Sequence, residues 1–286
     1  ETPAPADVLD QRMGLVLRQH RNLPDAGVQA VGQREIDDAE LAAKGRGWLA
    51  AFFGQLLQPL AASSRHDDGE GAPANWGVLK PEWQLCGTGE RQSPIDIRDG
   101  IKVQLEPIKF DYVLSNFRIV DNGRTVQVNV GPGSSIAVMG RYYDLVQFHF
   151  HRPSEERING KGFEMVVHLV HKDLDGRLAV VAVLLERGLA HPVVQTLWNN
   201  LPLEKNVDYT PDGVSIDLNQ LLPADRSYYT YMGSLTTPPC SEGVMWMVMK
   251  QPAQLSHEQI AIFARLYPMN ARPVQSIRGR MIKESR

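Results

Sequence analysis

QFHFHRPSEERINGKGFEMVVHLVHKD, running from Gln147 to Asp173, holds four of the chain's eight histidines. Histidine is neither a favoured strand former nor a common core residue. In a strand, alternate side chains share a face, so Gln147, His149 and His151 fall on one side and Phe148 and Phe150 on the other. The following run, FEMVVHLVH, sets Glu164, Val166, His168 and Val170 on one face and turns His171 the opposite way. An antiparallel pair joined through the turn at Asn159–Gly160 brings His168 beside His149 and His151. Three neutral imidazoles with one open position are the ligand set of a catalytic zinc site. A lone buried histidine is more often a hydrogen-bonded core residue than a ligand. Two at i, i+2 with a third on the next strand point to a metal. His171, on the wrong face, reads as structural.

The same texture extends outward. Lys102–Tyr112, Phe117–Val130, Ser135–His151, Phe163–Asp173, Arg177–Glu186 and Gly243–Pro252 are rich in Val, Ile, Phe and Tyr, and the turn pairs Asn122–Gly123, Asn159–Gly160 and Asp175–Gly176 punctuate them. This predicts a mainly β domain of the α+β kind, with one large, twisted, mostly antiparallel central sheet. Leu189–Leu201 and Ser256–Tyr267 read as short surface helices. Residues 1–62 carry no strand pattern; Asp7–Arg21 and Arg34–Leu60 have apolar residues at mixed three and four spacing and predict a helical extension. Its second helix is apolar around Trp48, Phe52, Phe53 and Leu56, a surface that needs covering. The main domain, a second copy of the chain or another protein can supply the cover, so a homo-oligomer or protein contact through residues 35–60 stays open. Ser63–Ala74 is polar and bears Gly and Pro, as a linker does, leaving 75–286 as the main β domain.

A net charge of −3 over 286 residues, without a Lys/Arg stripe, argues against nucleic acid as a partner. No segment approaches the roughly 18 uninterrupted apolar residues of a membrane span. The opening ETPAPAD suits a mature protein freed of a signal peptide, or a trimmed chain. Cys86 and Cys240 form no CxxC pair, which disfavours a cysteine zinc site. They are either two buried thiols or one bridge. A bridge would close a loop worth about 4–5 kcal/mol and would persist only in an oxidising compartment.

From about Asn75 onward the chain resembles the α-class carbonic anhydrases of the exported bacterial type. The motifs are NWG (Asn75 to Gly77), RQSPIDI (Arg91 to Ile97), QFHFH, PSE (Pro153 to Glu155), HLVH (His168 to His171) and YMGSLTTPPCSEGVMW (Tyr231 to Trp246), in that order. The N-terminal helices are unmatched. The resemblance implies Zn2+ on His149, His151 and His168, and reversible hydration of carbon dioxide to bicarbonate by zinc-bound hydroxide. It makes Thr236 the residue that accepts the hydroxide's hydrogen while donating its own to Glu155, with Thr237 on the same wall. Val170, Val180, Leu235 and Trp246 correspond to the apolar pocket for carbon dioxide, and Gln147 to the partner that orients His149. Cys86 and Cys240 correspond to cysteines that pair in exported members, which implies a disulfide and a periplasmic or secreted location.

Three positions depart from the pattern. Arg124 stands where fast members carry a histidine proton shuttle, and arginine keeps its proton at neutral pH, which predicts slow, buffer-dependent proton transfer. His66 is present upstream, without a motif that ties it to the site. Val166 stands where the family usually has a Glu that accepts the N–H of the third histidine. Glu164 lies on the same face, but roughly 6–7 Å further along the strand, which argues against a direct swap. Glu156 follows Glu155 where many members have His, and can disturb its neighbour's charge if it turns inward. These departures and the unmatched helices leave a second reading, a binding or assembly module on the same fold with little activity. A third is a zinc hydrolase using the same hydroxide.

Overall fold

The β-rich runs become strands that pair around one long central ribbon. The computed structural model describes residues 69–286. In chain order the strands are β1 (Asp96–Ile97), β2 (Ile101–Val103), β3 (Lys109–Asp111), β4 (Leu114–Asp121), β5 (Val126–Val130), β6 (Ser135–Val138), β7 (Arg141–His151) and β8 (Arg157–Ile158). They continue with β9 (Met165–Lys172), β10 (Leu178–Arg187), β11 (Ser215–Asp217), β12 (Tyr228–Ser234), β13 (Glu242–Met249), β14 (Ala253–Leu255) and β15 (Lys283–Ser285). Thirteen of them form one sheet, whose main path is β11-β4-β5-β7-β9-β10-β13-β12-β15-β2. Most neighbours are antiparallel; β10 pairs in parallel with β13 and β14, and β15 with β2. β1 and β8 form a separate parallel pair.

The predicted hairpin between β7 and β9 is present, with His149 opposite His168, Gln147 opposite Val170 and His151 opposite Val166. Asn159 and Gly160 both adopt positive φ in the turn, a conformation open to Asn and Gly. The run Ser135–His151 is two strands rather than one, divided at Met139–Gly140, where both residues also have positive φ. Lys102–Tyr112 likewise splits into β2 and β3. Along β7 the alternation changes phase. Tyr143 and Leu145 belong to the core, and so do Phe148 and Phe150, because the register slips between Leu145 and Gln147. Two residues of β7 oppose one of β9 there, as in a β-bulge.

The core lies on the face opposite the histidines. Phe148 and Phe150 meet Val167, Leu169, Val181, Val183 and Met247 across the sheet, with Trp198 and Phe263 packed over them from two helices, Pro192–Asn199 and His257–Leu266. Each fully buried side chain of this size contributes about 1.5–3 kcal/mol. The second helix carries a capping box, in which the Ser256 hydroxyl accepts from the Gln259 N–H and the Gln259 side chain accepts from the Ser256 N–H. Among the described residues no helix is long and apolar enough to cross a membrane. The helical reading of residues 1–62, the linker as far as residue 68, and His66 lie outside the described residues.

Candidate metal centre

Strand pairing lays the predicted site residues in rows. Gln147, Val170, Val180, Trp246 and Tyr231 are direct cross-strand partners on β7, β9, β10, β13 and β12, and residues directly opposed share a face. The adjacent row places His149 against His168. The three rings converge, with centroids 4.9 Å apart for His149 and His151, 5.5 Å for His149 and His168, and 4.8 Å for His151 and His168. One nitrogen from each lies within 4.8 Å of the others. His171 points to the core side, where its Nε2 is hydrogen-bonded to the Tyr112 hydroxyl at 2.8 Å. It is structural, as its parity predicted.

Each ring turns one nitrogen outward to an oxygen. His149 Nδ1 meets Gln147 Oε1 at 2.9 Å, and His151 Nδ1 meets the Asn270 carbonyl at 3.1 Å. His168 Nε2 meets Glu156 Oε2 at 3.2 Å. The Gln147 amide oxygen and the Asn270 carbonyl can only accept, so on His149 and His151 the outward nitrogen is the N–H donor and the inward one keeps its lone pair. Glu156, once ionised by a cation held among the rings, would set His168 the same way. His151 Nε2 is one such inward atom, buried and without a hydrogen-bond partner. Burial lowers all three imidazole pKa values; the neighbouring rings push His149 further down, and His168 falls to about 4. All three are therefore neutral at pH 7, the form a metal requires. The donor set fits zinc.

Two adjacent carboxylates face the cluster. Glu155 is 2% exposed and Glu156 is 0% exposed. Glu155 Oε1 accepts the Arg272 backbone N–H at 2.8 Å, while its Oε2 is 3.8 Å from His168 Nδ1 and has no hydrogen-bond partner. Burial pushes the Glu156 carboxyl up to about 8. Neighbours in a strand would point to opposite faces, but Pro153–Glu156 is irregular backbone between β7 and β8. The segment is fastened where the Ser154 hydroxyl donates to the Glu156 carbonyl and the Arg157 N–H to the Ile95 carbonyl. Glu156 does turn inward, toward His168. Glu164 does not reach the site; it precedes β9 and accepts from Arg187 at 3.0 Å.

The loop after β12 carries the remaining residues. Leu235 and Thr237 are half-buried and Thr236 is buried. Two backbone bonds close the loop, from Leu235 N–H to the Ser241 carbonyl and from Cys240 N–H to the Thr237 carbonyl. The Cys86–Cys240 disulfide anchors its end. Trp246 joins the loop to the histidines. Its Nε1–H donates to the Ser234 carbonyl at 3.0 Å, and its ring sits edge-on 4.9 Å from His168. Gly233 is confined by close approach, since a Cβ there would come within 2.9 Å of both Trp246 and Tyr231. Arg124 is half-buried in the turn between β4 and β5, and burial lowers its pKa.

Sequence reasoning missed Asn270 and Arg272. Asn270 binds the end of β7 through its carbonyl, and its side chain accepts the Arg152 N–H and donates to the Phe150 carbonyl. Arg272 donates to the Gln92 side chain and to the Ser93 and Cys86 carbonyls while its backbone holds Glu155.

The profile of the eukaryotic-type carbonic anhydrase family matches residues 71–286. A carbonic anhydrase of Pectobacterium carotovorum is 40% identical over 243 residues, covering 84% of this chain and 99% of that protein. A hyperthermostable carbonic anhydrase from an active hydrothermal vent chimney superposes with a TM-score of 0.75 at 43% identity, over 78% of this chain and 99% of the other. The α-carbonic anhydrase of Thermovibrio ammonificans, solved with the inhibitor sulfanilamide, gives 0.74 at 39% identity, over 78% and 98%.

Proposed function

The chain belongs to the eukaryotic-type, or α-class, carbonic anhydrases and is a lyase for the reversible hydration of carbon dioxide; from that premise we propose that His149, His151 and His168 hold a catalytic zinc ion. The observation that carries this reading is the disposition of the rings. Each commits one nitrogen to an oxygen acceptor and turns the other toward its two companions. Zinc bound there acts as a Lewis acid that brings the ionisation of water from 15.7 to about 7.

The chain's own residues then orient and exclude. Glu155 Oε2 is open in the structure; in the proposed reaction the Thr236 hydroxyl would donate to it and so present its own lone pair to a water or hydroxide hydrogen, orienting the attack. The Thr236 N–H serves the oxygen that gains charge, and Thr237 completes that wall. Val170, Val180, Leu235 and Trp246 offer an apolar pocket suited to an uncharged substrate. Gln147 holds His149 in its tautomer. Arg124 cannot relay a proton, so the proton leaves through buffer or solvent. The Cys86–Cys240 disulfide supports residence in an oxidising compartment, the periplasm or outside the cell.

Metal analysis and stopped-flow hydration of the full chain test the reading. Zinc is expected at one per chain, with hydration lost on chelation and restored by zinc. A protein that takes up no zinc, or hydrates carbon dioxide equally well without it, overturns the assignment.

A further inference from the structure

We propose that Glu156 is the positioning residue for His168, a carboxylate supplied by the loop after β7 in place of one on β9 itself. The inference rests on the zinc reading above and concerns how this chain supports the third ligand. His149 and His151 are each steadied by an oxygen on the nitrogen that faces away from the cluster. For His168 the strand offers nothing of the kind. Val166, on the same face and 0% exposed, is apolar, and Glu164 is engaged by Arg187. A ring that is 1% exposed, with Trp246 against it, is shut off from bulk solvent. An unmade bond at such a place typically costs about 1–3 kcal/mol.

Glu156 supplies the missing acceptor. Its Oε2 lies 3.2 Å from His168 Nε2, and its other oxygen is buried with no hydrogen-bond partner. A buried carboxyl whose one side-chain hydrogen-bond partner among the described residues is His168 is a costly residue to keep for packing alone. The contact makes sense as the support of an imidazole whose opposite nitrogen donates to a cation, since a carboxylate behind a ligating histidine fixes its tautomer and raises its basicity. Val166 and Glu156 are then one paired departure: the acceptor is absent from the strand because it arrives from the loop. The fastening of that loop by Ser154 and by the β1–β8 pair becomes part of the metal centre.

The test moves the carboxylate. Zinc affinity of the full chain is measured by competition with a chromophoric chelator, and ligand geometry is read from the visible spectrum of the cobalt form. Glu156→Leu is expected to weaken zinc binding by about 10–100-fold and to change the cobalt spectrum, with the melting temperature of the metal-free protein held. Adding Val166→Glu to Glu156→Leu is expected to recover most of the affinity and the parental spectrum. Affinity within twofold of the parent for Glu156→Leu overturns the proposal. So does a loss that Val166→Glu leaves unrecovered while the metal-free protein melts lower, since Glu156 then serves the fold. A parent chain that binds no zinc overturns the zinc assignment itself, a result distinct from either.

Discussion

A guanidinium has five N–H donors and no lone pair to lend, and on the proposed mechanism Arg124 stands where the family resemblance would place a histidine proton shuttle. Burial lowers its pKa, but an arginine remains charged at any pH at which the enzyme works. Each turnover on the proposed mechanism leaves one proton to be removed, so the rate in dilute buffer is set by how often a buffer molecule arrives. An imidazole, with an ordinary pKa near 6.5, gains and loses a proton in the working range. Arg124→His is therefore expected to raise turnover about tenfold or more in dilute buffer and to leave it nearly unchanged in concentrated buffer, measured by stopped-flow hydration. An unchanged rate in dilute buffer would show that proton transfer does not limit this enzyme.

The ribbon β7–β9 shows at the level of elements what a sequence reveals. Its period of two was enough to bring three imidazoles to one face and to send His171 to the other. That second side chain carries its own consequence. Burial pushes the His171 pKa down to about 3, against about 6.5 in an unfolded chain. Between those values the unfolded chain binds a proton that the folded one refuses, so stability rises with pH across the window. It is lost as pH falls from about 6.5 toward 3, with a slope of at most about 1.4 kcal/mol per pH unit. His171→Leu is expected to flatten this dependence between pH 6 and 4 in urea titrations. At pH 7 it should cost about 1–3 kcal/mol, because the Tyr112 hydroxyl loses its partner. Other features were hidden because no period governs them. The bulge between Leu145 and Gln147 resets the alternation, so extending the pattern backward from His149 puts Leu145 on the wrong face. Glu155 and Glu156 leave regular backbone and turn the same way. Asn270 and Arg272 reach the site from more than 100 positions away, each with bonds whose partners have no local signature.

Across the whole molecule, the bridge from Cys86 to Cys240 spans 154 positions and ties the start of the described chain to the loop that bears Thr236. Trp83 packs beside it, Trp76 packs against the cluster, and Arg272 donates to the Cys86 carbonyl. Loop-closure entropy assigns such a bridge about 4–5 kcal/mol. Replacing both cysteines by serine is expected to lower stability by about that amount, read from denaturant midpoints, and to reduce hydration activity through a loosened Thr236 loop. Equal midpoints would show that the packing around Trp83 suffices.

The support given to His151 is of a different kind from that of its companions, because it comes from the backbone of Asn270 near the C-terminus. No side-chain replacement at that position removes a carbonyl. A chain still being synthesised lacks it altogether, together with the Arg272 amide that Glu155 requires. A polypeptide cut before Asn270 would hold oxygen acceptors for two of the three imidazoles, His149 and His168.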